Sequence, residues 1–137
     1  MNHKLSALYG LKWHPFNPDI PLEAVYVPPR IEQFIWRIEN ALVRDGGFAL
    51  IHGAPGAGKS VVMRLLEQRL ARLQDGAVAS INHPQSNVAD FYRELGDLFN
   101  LPIKPAQRWT SFKTLRERWI DHVSNSRRRS IILIDLC

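Results

Sequence analysis

The run Gly53-Ala54-Pro55-Gly56-Ala57-Gly58-Lys59-Ser60 carries the spacing G-x-x-x-x-G-K-[ST]. Glycines at 53, 56 and 58 let the backbone take positive φ and approach phosphate oxygens with no Cβ in the way. Successive N–H groups can then converge as an anion nest. A helix starting at the end of the loop, with Val61 in its first turn, aims its partial positive charge at the same spot. Lys59 adds a full cation for the β- and γ-phosphates, and Ser60 offers a hydroxyl to Mg²⁺. The spacing predicts that Gly53, Ala54, Pro55, Gly56, Ala57, Gly58, Lys59, Ser60 and Val61 bind a nucleoside triphosphate, ATP with Mg²⁺. The alternative is a glycine-rich turn with an incidental lysine. The flanking elements argue against it, because an apolar run precedes the loop and an amphipathic pattern follows it.

A second candidate is Asp135, which ends the apolar run Ile131-Ile132-Leu133-Ile134. A phosphate-binding loop of this type needs a carboxylate at the carboxyl end of a neighbouring strand to hold the Mg²⁺ shell. Ser60 and Asp135 are therefore the expected metal residues, with a strand-end aspartate of no chemical role as the alternative. Many ATPases with this arrangement place a glutamate after the aspartate to orient water. Here Leu136 and Cys137 follow, so no general base is visible and the catalytic residue is unassigned. His52 reads better as a structural strand-end residue than as a nucleotide contact. His83 and His122 have no metal-ligand spacing with each other or with Cys137. Trp109, Phe112 and Trp119 recur at core spacing on a helix, which argues against base stacking.

These residues need a scaffold, and periodicity supplies one. Ile31, Phe34, Ile35, Ile38 and Leu42 mark a helix of about three turns, preceded by Pro28-Pro29 and ended by Gly46-Gly47. Phe48-Ala49-Leu50-Ile51 reads as a short buried parallel strand feeding the loop. Val62, Leu65, Leu66, Leu70 and Leu73 mark the helix after it. Ala77 to Ile81 read as a second strand, broken by His83-Pro84-Gln85-Ser86. Val88, Phe91, Tyr92, Leu95, Leu98 and Phe99 give an amphipathic helix, with Asn100 as a left-handed stop and Pro102 beyond it. A last helix carries Trp109, Phe112, Leu115, Trp119, Ile120 and Val123. Strands alternating with helices predict an α/β layer fold with a parallel sheet. Residues 1–30, with Pro15, Pro18, Pro21, Pro28 and Pro29, cannot form a long helix. Their many apolar side chains imply an arm that packs on the body.

The chain has 137 residues, 45% of them apolar, which suits one domain with a core and argues against disorder. No apolar run approaches a membrane span, and the first residues lead into nothing like a signal peptide, so a cytoplasmic location is expected. A single cysteine, Cys137, allows no disulfide within the chain. The formal net charge of +5 is compatible with a polyanion partner. The arginines are scattered, however, apart from Arg127-Arg128-Arg129, and solvated helix faces explain most of them.

The stretch Tyr9-Gly10-Leu11-Lys12-Trp13-His14-Pro15-Phe16-Asn17-Pro18-Asp19 resembles the opening of a family of bacterial AAA+ ATPases. These are the ExeA/GspA-like proteins and the related TniB/TnsC-type transposition helpers. Gly47 to Gly53 and Ile131 to Asp135 match the segments around Walker A (53–60) and Walker B (131–135). The likeness runs from Leu8 to Asp135. It implies a P-loop NTPase three-layer α/β sandwich with a parallel sheet, of which this chain is the N-terminal portion, with residues 31–137 as a partial AAA+ domain. It also implies ATP hydrolysis by the intact family member and assembly into a homo-oligomer. The implied role is transposition, with DNA and a transposase as partners, or general secretion. The arm around Pro15-Phe16 and Tyr26 would lie near the adenine. Family members continue beyond Walker B with a glutamate, a sensor strand, an arginine finger and a helical lid. One later strand lies between the loop strand and the Walker B strand. This chain is therefore expected to leave Phe48–Ile51 without ladder neighbours, to be marginally stable, and to be inactive alone. Two other functions stay open: a nucleotide-binding remnant or regulatory subunit without catalysis, and a DNA-binding module, for which no recognition helix is visible.

Overall fold

A computed structural model of the protein describes residues 3–73, 76–82, 88–98, 100–101, 108–125 and 129–136. The expected break at His83–Ser86, Pro102, Arg127-Arg128 and Cys137 lie outside the described residues. In chain order the elements are α1 (His3–Leu8), a 3₁₀ turn (Leu22–Ala24), α2 (Pro29–Arg44), α3 (Lys59–Ala71), β1 (Gly76–Asn82), α4 (Val88–Leu98), α5 (Arg108–Asn125) and β2 (Arg129–Asp135).

Helix α2 is longer than its apolar spacing suggests, at 16 residues. It starts where Pro29 occupies the first turn, a position that has no use for the N–H proline lacks. Helix α4 closes as Asn100 predicts. Asn100 sits at φ 54, its N–H reaches the Asp97 carbonyl at 3.1 Å, and the Leu101 N–H returns to Gly96 at 2.8 Å. This pair of bonds is the Schellman arrangement, which satisfies carbonyls the helix leaves behind.

Strands β1 and β2 pair in parallel, from Gly76 opposite Arg129 to Asn82 opposite Asp135. The parallel sheet is thus present, and among the described residues it has these two strands. Helix α3 packs against both of them and against α2. The buried cluster is Ile35 from α2, Val62, Leu66 and Leu70 from α3, and Leu133 from β2, with Val78 and Ile131 against it. Two ion pairs tie α2 to α3 at the edge of this cluster: Arg69 to Glu32 at 2.8 Å and Arg69 to Glu39 at 3.5 Å.

Two expectations need correction. Phe48-Ala49-Leu50-Ile51 is not a buried strand: the segment belongs to no ladder, and Phe48 and Leu50 are 88% and 68% exposed. A strand needs a neighbour, and no described strand lies beside this one. Nor do the aromatics of α5 form a core stripe. Leu115 is buried, but Trp109 is 78% exposed and Phe112 is exposed, meeting Tyr92 of α4 edge-on at 6.4 Å. Helical spacing put these rings on one face, and α4 meets that face only in part, leaving Trp109 and Phe112 exposed.

The arm before α2 holds one short helix. Arg64 of α3 donates to the Pro18 carbonyl at 3.0 Å and to the Ile20 carbonyl at 2.9 Å. Between them, the Asp19 N–H donates to Asn17 Oδ1 at 3.1 Å in an Asx turn. Leu8, Tyr9, Phe16 and Tyr26 of the arm are exposed.

Candidate functional site

The loop at 53–60 is built by its helix. Gly58 is the N-cap of α3, at φ 85 and ψ 21, and Lys59 is the first helical residue. A residue with a Cβ is strained in that left-handed conformation, so glycine at 58 follows from the geometry. Gly56 is likewise left-handed, at φ 77. Gly53 is not, so the reading that all three glycines supply positive φ is corrected to Gly56 and Gly58. A Cβ at Gly53 would meet the Ala57 Cβ at 3.5 Å, which is ordinary contact.

Between the glycines the Ala57 N–H closes a turn onto the Ala54 carbonyl at 3.1 Å, and the Val62 N–H makes the first helical bond to Gly58 at 3.0 Å. The backbone amides of Gly56, Gly58, Lys59, Ser60 and Val61 bond to no described residue. They are the donors that every helix start leaves over, extended upstream by two left-handed glycines. The Lys59 Nζ donates to the Gly53 carbonyl at 3.1 Å and to the Ala54 carbonyl at 3.0 Å, so the cation is held over the loop. Unbonded amides around a folded-back ammonium are chemically suited to an anion with several oxygens. Space allows it as well, since a Cβ built on Gly56 or Gly58 would meet nothing within 4 Å.

Lys59, Gly53 and Asp135 line one groove of about 770 Å³, together with residues 46–52 and 130–134. Asp135 ends β2 and is half-buried. Ser60 is exposed in the first turn of α3 and does not line this groove. Among the described residues no group of three or more His, Cys, Asp or Glu is placed to hold a metal by itself. A divalent cation here would accordingly rely on Ser60, Asp135 and the phosphates it accompanies. His52 is exposed and also lines the groove. Trp119 of α5 does too, a placement its helical spacing did not signal.

An AAA domain model matches residues 43–135, from the last turn of α2 to Asp135. The chain belongs to the AAA domain family. With membership comes the P-loop NTPase fold class, of which α3, its loop and the parallel β1–β2 pair are the visible parts. The chain is similar to General secretion pathway protein A of Aeromonas hydrophila, at 28% identity over 128 residues. That match covers 93% of this chain and 23% of the relative, so the chain spans about a quarter of the relative's length. No solved structure matches it. No helix among the described residues is long and apolar enough to cross a membrane.

Proposed function

We propose that this AAA domain binds ATP with Mg²⁺ through Gly53 to Val61. The amides of Gly56, Gly58, Lys59, Ser60 and Val61 would take the phosphate oxygens, with Lys59 at the β- and γ-phosphates. Ser60 and Asp135 would hold the cation, which neutralises phosphate charge when bound. The observation that carries the reading is the left-handed Gly58 at the N-cap of α3, which leaves five amides of the loop and first helical turn unbonded beside the Lys59 ammonium.

The test is ATP·Mg²⁺ titration of the 137-residue chain beside Lys59→Ala. Micromolar binding that weakens at least about tenfold in the variant supports the loop as the site, since losing a charge-assisted contact costs about 1.5–3 kcal/mol. Equal affinity of the two proteins sinks it.

Within this reading, turnover belongs to a longer family member that assembles as a homo-oligomer. The name of the Aeromonas relative favours a general secretion pathway over transposition with DNA and a transposase. A cytoplasmic site of action fits an ATP-dependent domain. A second reading, binding without hydrolysis, is favoured by Leu136. It stands directly after Asp135, where a water-orienting carboxylate would be needed. Phosphate release by the 137-residue chain above that of Lys59→Ala would exclude this second reading.

A further inference from the structure

The arm before α2 is tied to the body at one place. Arg64 Nη1 donates to the Pro18 carbonyl at 3.0 Å, and Arg64 Nη2 donates to the Ile20 carbonyl at 2.9 Å. Among the described residues no other hydrogen bond or ion pair joins residues 3–27 to the rest of the chain. A turn sets the two acceptors. The Asn17 N–H donates to the His14 carbonyl at 3.1 Å, the Ile20 N–H to the Asn17 carbonyl at 3.2 Å, and the Asp19 N–H to Asn17 Oδ1 at 3.1 Å. Both carbonyls then meet one guanidinium fork.

Arg64 is also a neighbour of the phosphate loop. It follows Ser60 by one helical turn, about 6 Å along the axis of α3. Helical side chains lean toward the N-terminus, so the Arg64 side chain covers the turn that holds Lys59 and Ser60. Docking of the arm keeps its guanidinium there, beside the Lys59 ammonium and the positive end of the helix. Among the described residues no carboxylate pairs with Arg64. The docked arm therefore gathers like charge at the head of α3. With the arm undocked, the side chain swings into water and its charge is screened. An anion on the loop relieves the crowding and so favours the docked state over the undocked one, the differential interaction that linkage requires. We propose that the arm is a strap whose hold is set by the phosphate loop: Arg64 pins Pro18 and Ile20 to α3, and a polyphosphate at Gly53–Val61 strengthens that hold through charge alone. The ligand rests on the nucleotide reading above. By reciprocity, docking of the arm raises affinity for the polyphosphate by the same factor.

The probe is inorganic tripolyphosphate with Mg²⁺, which carries the phosphates and lacks base and ribose. Chymotryptic cleavage after Phe16, which is 88% exposed, needs the turn at 14–20 opened and so reads the undocked fraction of the arm. Calorimetry reads the affinity separately. Saturating tripolyphosphate·Mg²⁺ is expected to slow cleavage about threefold, the size of coupling between solvent-facing charges. Arg64→Met is expected to be cleaved at one fast rate with or without the ligand, and to bind it about threefold more weakly. Binding with unchanged cleavage overturns the strap and leaves the nucleotide reading standing. Equal slowing in Arg64→Met also overturns it. So does slowing by ATP·Mg²⁺ but not by tripolyphosphate·Mg²⁺, since the arm would then be answering the nucleoside. Failure of both ligands to bind sinks the nucleotide reading and the strap with it.

Discussion

Gly53 and Gly58 are indistinguishable in the motif, yet alanine at the two positions should move stability in opposite directions. Gly58 sits at φ 85, where an L-residue pays about 1–2 kcal/mol. No heavy atom lies within 4 Å of a built Cβ, so the cost is backbone strain without a clash. Alanine also narrows the unfolded ensemble, which returns about 0.4–1 kcal/mol. The net for Gly58→Ala is a loss of about 1 kcal/mol. Gly53 lies outside the left-handed region, and its built Cβ meets Ala57 at 3.5 Å and the Lys59 side chain at 4.0 Å. Only the unfolded-state effect remains there, so Gly53→Ala should gain about 0.4–1 kcal/mol. With a urea dependence of about 2 kcal/mol per molar, the midpoints should separate by roughly 0.7–1 M. Urea unfolding followed by circular dichroism measures this directly. Equal shifts of the two variants in the same direction would refute the conformational assignment of the loop.

Other perturbations have equally definite outcomes. Leu66→Ala removes a side chain that is 1% exposed at the meeting of α2, α3 and β2. It should cost about 3 kcal/mol and lower Tm by roughly 10 °C, measurable by thermal denaturation. Arg64→Met deletes both bonds from α3 to the Pro18 and Ile20 carbonyls. Chymotryptic cleavage at Tyr9 and Phe16 should quicken by about tenfold, as expected for a loss near 1.4 kcal/mol, while α3 itself stays folded by circular dichroism. Asp135→Asn should reduce ATP affinity in the presence of Mg²⁺ and leave affinity in EDTA unchanged, which isothermal titration in the two buffers separates.

The elements that were legible in the sequence are those whose signals are local. Pro28-Pro29 announced the start of α2, and Asn100 announced the end of α4 through its own left-handed backbone. The G-x-x-x-x-G-K-[ST] spacing located the loop and the start of α3, since its glycines and the helix beginning at Lys59 act on neighbours within a few residues. Apolar runs ending at Ile81 and Asp135 were enough to find β1 and β2, because buried parallel strands read as continuous hydrophobic stretches.

Phe48–Ile51 has the same apolar composition as those strands, and composition misjudged it. A strand exists only where a second backbone supplies its hydrogen bonds, and that is a property of chain pairing over distance. The same physics separates Leu115 from Trp109 on α5: periodicity assigns both to one face, but burial depends on what lies opposite. The sequence by itself thus determined the position of the glycine-rich loop, the Pro29 start of α2, the Asn100 end of α4 and the α/β class, all written in short-range backbone geometry. Tertiary structure alone decided which of the three glycines must be left-handed. It also decided that Arg64 holds the arm, and that Lys59 and Asp135 line one groove.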